Sequence, residues 1–142
     1  MASVRIRRLA ALPVAVLGLL AVPATADAAP RPAELSPTPI QFERPVVAGQ
    51  SVYFDSGIRN TGGQGSGGFN IKWFVDGQEV GAYGSHQDVP SGSSKLNGNS
   101  QFTHTFDDPG SFHTVTFVVD VDNHVHERNE GDNEQSVRVN VR

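Results

Sequence analysis

The stretch DNHVHERNEGDN, Asp122 to Asn133, concentrates side chains that could do chemistry. It places Asp122, Glu127, Glu130 and Asp132 among three asparagines, two histidines and an arginine. Asp120 lies just upstream. Ca²⁺ takes six to eight hard oxygen ligands, and Asp120, Asp122, Asn123, Glu127, Glu130 and Asp132 are the candidates to supply them. The spacing is not that of an EF-hand loop, because neither the central Gly nor the closing Glu falls in place. His124 and His126 are spaced i, i+2, so on an extended strand they would point the same way and offer half of a Zn²⁺ or Cu²⁺ site. The competing chemistry is purely structural. Asn and Asp side chains satisfy loose backbone groups in turns and tolerate positive φ. A carboxylate such as Glu127 or Glu130 would then accept backbone N–H bonds and lock a connection between two strands.

The elements that must position this stretch begin after an export signal. Arg5, Arg7 and Arg8 precede an apolar run from Leu9 to Val22, and Ala24-Thr25-Ala26 and Ala26-Asp27-Ala28 both fit signal-peptidase cleavage. Residues 1–26 are expected to be a signal peptide, cut after Ala26 or Ala28. The apolar run is short for a membrane span, so no membrane insertion is expected after cleavage. Losing three arginines makes the chain more negative than its formal net charge of −4. An acidic surface disfavours nucleic acid and anionic lipid. Cysteine is absent, which excludes thiolate chemistry and disulfide scaffolds.

Residues 27–36, DAAPRPAELS, read as a flexible leader, and 37–142 as the domain. The domain shows no helical periodicity. Short runs alternate in period two and are punctuated by Gly, Pro, Asn and Asp. Phe69 to Val75 is the clearest strand, with Trp73 on its inward face and Phe74 opposite, where it could meet a partner at an edge. Asp76-Gly77 predicts a hairpin turn. Ser51 to Asn60 reads as one strand with Val52, Phe54 and Ile58 sharing a face. Val115, Phe117 and Val119 point inward on a strand from Phe112 to Val121, and Val137, Val139 and Val141 on the last. Asn60 to Gly68, NTGGQGSGG, reads as a flexible loop and lacks the Lys of a phosphate-binding loop. No nucleophile elbow is present. The expectation is an all-β chain: an immunoglobulin/fibronectin-III-like two-sheet sandwich of about seven strands.

The order Ala48-Gly49-Gln50, Asn60-Thr61-Gly62, Phe69 to Gly77 and Pro90-Ser91-Gly92-Ser93-Ser94 resembles CARDB, the cell-adhesion-related domain found in bacteria. The likeness tightens at Gly110, His113-Thr114-Val115, Val119-Asp120, Asp122-Asn123, Val125, Glu127, Asn129-Glu130 and Asn133. Asp132-Asn133 stands where the family often pairs two asparagines. The resemblance covers about residues 33 to 141. It implies an immunoglobulin-like sandwich in an exported protein, with no general catalytic activity. The expected role is a secreted, non-catalytic module for adhesion or protein interaction. Its partner would be an extracellular protein or a cell-surface glycan. The alternative is a calcium-stabilised or carbohydrate-binding extracellular module.

Overall fold

The structure is a computed structural model and describes residues 28–96 and 101–142. The expected signal peptide lies outside them. Ten short strands follow in order: β1 (Leu35–Pro37), β2 (Gln41–Phe42), β3 (Ser51–Asp55), β4 (Gly57–Asn60), β5 (Phe69–Val75), β6 (Gln78–His86), β7 (Ser94–Leu96), β8 (Phe102–Thr105), β9 (Phe112–Val119) and β10 (Glu134–Asn140). One layer is an antiparallel sheet in the order β10-β9-β5-β6. The other layer consists of two three-stranded sheets, β1-β4-β7 and β2-β3-β8.

The strands outnumber the expected seven because strands of the second layer break and change partners. Ser51 to Asn60 is not one strand. It pairs with β8 as far as Phe54, then with β1 and β7 from Gly57 onward. Ser56 sits at the break with 2% exposure, and its hydroxyl donates to the Thr38 carbonyl at 2.8 Å. Val52, Phe54 and Ile58 are nonetheless all buried, as the alternation predicts.

The core lies where the two layers face each other. Trp73 is buried at its centre, its ring 4.7 Å from Phe102 and 4.6 Å from Phe117, centroid to centroid. Phe54 reaches across from β3, 6.4 Å from Trp73. These aromatics bring large apolar areas out of water without a disulfide. Phe74 is not at an edge. It lies on β5, which is hydrogen-bonded to both β9 and β6, and its side chain is half-buried on the outer face.

The domain begins inside the segment expected to be a leader. Ala33 is buried and Leu35 has no exposed surface. Leu35 pairs with Asn60, so β1 is part of the second layer. The Ala/Pro composition hides this, because a three-residue strand carries too little alternation to read. The Gly-rich loop explains why the segment stays down. A Cβ on Gly62 would lie 2.2 Å from the Pro32 carbonyl oxygen, so only glycine lets the two backbones approach this closely. The loop is thus a packing surface rather than a loose connection.

Candidate functional site

The connection from β9 to β10 carries the opening stretch. Asp120 ends β9 in the left-handed region, with φ 47°. Its carboxylate accepts from the amides of His124 at 3.0 Å and Val125 at 2.8 Å, and its carbonyl accepts from Asn123 N–H at 2.8 Å. Asn123 is also left-handed, with φ 55°. Asp120 is thereby committed to folding the turn. Asp122 pairs with the Asn70 side chain on β5. Glu130 begins a short 3₁₀ turn, Glu130–Asp132, and its oxygens take the Glu127 amide and the Asn133 side chain. Asn129 caps that turn by accepting from Gly131 N–H at 3.2 Å.

Glu127 differs from its neighbours. It is 5% exposed, and neither carboxylate oxygen has a hydrogen-bond partner. Burial pushes its pKa up to about 7. The Leu35 amide and Asn133 lower it and Glu130 and Asp120 raise it further, but no well-formed bond reaches either oxygen. The Asn133 Oδ1 is buried and unpartnered as well. A cation would serve the carboxylate.

Two further carboxylates approach Glu127. Carboxylate oxygens of Glu34, Glu127 and Asp132 lie within 4.8 Å of one another. Of the six residues expected from the sequence, Glu127 and Asp132 belong to this group. Asp120, Asp122, Asn123 and Glu130 stand around it as parts of the turn. Glu34 was not foreseen. It sits just before β1, and its carboxylate also accepts from the amides of Arg128 at 3.2 Å and Asn129 at 3.1 Å. An all-oxygen, all-carboxylate group suits Ca²⁺ or another hard divalent ion rather than Zn²⁺ or Cu²⁺. His124 and His126 are exposed and lie outside any strand. They border a shallow hollow with Pro30, Pro32 and the Gln64–Ser66 loop.

At the opposite end of β9 a second polar cluster forms. Asp76, with φ 49° in the β5–β6 turn, accepts from Thr114 N–H at 2.8 Å and meets His113 Nδ1 at 2.7 Å. His113 Nε2 lies 2.9 Å from Ser111 Oγ and 3.0 Å from Asp108 Oδ1. Ser111, His113 and Asp76 line up as a hydrolase triad would. The hydrogen bond from Asp76, helped by Asp108, raises the His113 pKa against its partial burial. Both ring nitrogens of His113 are already engaged, Nδ1 with Asp76 and Nε2 with Asp108 as well as Ser111. Ser111 Oγ meanwhile donates to the Asp108 carbonyl at 2.7 Å. The cluster is a latch joining two turns. Its pH behaviour has a definite sign. The raised His113 pKa contributes stability that is fully present below the unfolded value of about 6.5. That stability is lost as pH rises through the folded pKa. Melting curves from pH 6 to 9 are expected to fall more steeply in the natural protein than in His113→Gln, which keeps only the contribution of the other groups. Equal slopes would mean that the latch carries no charge.

A model of the CARDB family matches residues 33–137. The CARDB domain of PF1109 from Pyrococcus furiosus, solved in complex with di-metal ions, superposes with a TM-score of 0.67 at 19% identity over 78% of this chain and 90% of that one. Its solution structure gives 0.63 at 19% identity, over 77% and 94%. A domain of a protein assigned to the cell surface of Methanosarcina acetivorans gives 0.59 at 27% identity, over 75% and 91%. No curated protein matches.

Proposed function

The chain belongs to the CARDB family, and from that premise we propose that it works as a non-catalytic extracellular interaction module whose β9–β10 connection is locked by Ca²⁺. Glu34, Glu127 and Asp132 would hold the ion. The observation that carries this reading is Glu127: a buried carboxylate with two partnerless oxygens beside two further carboxylates. Burying a charge without a partner is costly, and a divalent cation removes that cost by supplying positive charge. The ion would tie the residue before β1 to the last connection of the chain. A related CARDB domain has been solved in complex with di-metal ions, which supports the same reading.

An extracellular or surface setting agrees with the cell-surface neighbour and with the expected signal peptide. Among the described residues no helix is long and apolar enough to cross a membrane. The non-catalytic reading is supported by Ser111, whose Oγ is engaged with the Asp108 carbonyl at 2.7 Å rather than held ready to attack.

Calorimetric titration with Ca²⁺ tests the proposal. Binding is expected in the natural protein, with at least about a hundredfold loss in Glu127→Gln and at least about a tenfold loss in Glu34→Gln and Asp132→Asn. Absence of binding, or full binding by Glu127→Gln, would overturn it.

A further inference from the structure

A cleft of about 310 Å³ opens beside the three carboxylates. It is lined by Arg31, Pro32 and Glu34, by Thr61 and Gly62, and by Arg128 and Asn129. Glu34 belongs both to this cleft and to the carboxylate group. Both arginines are exposed, and neither joins an ion pair among the described residues. Two unpaired guanidinium groups at one cleft stand out in a chain whose formal net charge is −4.

We infer that this cleft is a binding site for a sugar carboxylate, a uronic-acid residue of an acidic glycan, whose carboxylate bridges the bound Ca²⁺ and the guanidinium groups of Arg31 and Arg128. The inference rests on the calcium reading, since without the cation Glu34 would repel the anion. Three carboxylates do not fill the six to eight positions of Ca²⁺, so coordination sites remain for a ligand oxygen. Guanidinium groups match a carboxylate with paired N–H donors. The Thr61 hydroxyl and the Asn129 side chain offer further polar contacts suited to sugar hydroxyls. The volume is at the small end of ligand sites, which fits a sugar rather than a folded domain. Protein-binding hot spots centre on buried aromatic anchors, and among the described residues no aromatic side chain lines this cleft.

The test uses the purified protein and a trimer of galacturonic acid, with free Ca²⁺ held constant by a buffer. Binding is expected in Ca²⁺, at least tenfold weaker in chelator and at least tenfold weaker in the Arg31→Gln/Arg128→Gln double variant, whose Ca²⁺ affinity should be no lower than that of the natural protein, since two like charges leave the neighbourhood of the cation. A neutral galactose trimer should not bind. If Ca²⁺ binds and the acidic trimer does not, the glycan assignment fails while the calcium reading stands. If Ca²⁺ itself does not bind, both fail. A poly-glutamate peptide binding as tightly as the trimer would replace the glycan with an acidic protein and overturn the assignment.

Discussion

Asn60→Ala is expected to lower stability by about 4 kcal/mol, a loss at the upper end for a single substitution. Asn60 has no exposed surface. Its Oδ1 accepts from Glu34 N–H at 3.1 Å and Gly62 N–H at 2.9 Å, and its Nδ2 donates to the carbonyls of Gln64 and Val89, each at 2.8 Å. The side chain therefore uses both donors and both lone pairs. Truncation strands three backbone groups, since the Val89 carbonyl keeps the Ser66 N–H at 3.2 Å, and each one left buried and unsatisfied costs about 1–3 kcal/mol. The same bonds set the position of Glu34. Denaturant unfolding of the variant is the check, and Ca²⁺ affinity should fall with stability. A loss below 1 kcal/mol would mean that water replaces the lost partners.

Glu127→Gln is expected to change the sign of its effect with Ca²⁺. In chelator the folded protein keeps a proton on Glu127 up to a pKa of about 7, while the unfolded chain loses it near 4.5. Stability therefore falls as pH rises across that window, by about 3 kcal/mol in all at about 1.4 kcal/mol per pH unit. At pH 8 in chelator the neutral amide removes a buried unpaired charge and should stabilise by about 1–2 kcal/mol, since its own polar atoms stay poorly partnered. With Ca²⁺ at a hundred times its dissociation constant the natural protein gains about 2.7 kcal/mol, and the variant, having lost a ligand, becomes the less stable of the two. A variant that is weaker in both conditions would show that the Glu127 carboxylate already has partners within the protein.

These residues also mark what could be read before folding. Trp73 in the core, the turn at Asp76-Gly77 and the inward row Val115, Phe117 and Val119 follow from period-two alternation and turn chemistry, both local properties. Glu34 is different. It meets the amide of Arg128 across 94 positions of sequence, and it sits in an Ala/Pro-rich stretch with no periodic signal. Only the pairing of β1 with β4 brings it to the closing loop. The acidic stretch advertised six ligands at once because its turn-forming and ion-facing carboxylates are chemically alike. What separates Asp120 from Glu127 is the direction of nearby backbone amides, and that exists only in the folded chain. A glycine loop likewise reads as freedom until the strand packed on it is known, as Gly62 against Pro32 shows.

The most direct measurement is the melting temperature of the protein near pH 7.5, first in chelator and then in excess Ca²⁺. A rise of about 10 °C is expected, the shift that corresponds to roughly 2–3 kcal/mol of ligand stabilisation in a domain of this size. That rise should disappear in Glu127→Gln. An unchanged melt would contradict the account and leave Asp122 to Asn133 as a turn that needs no ion.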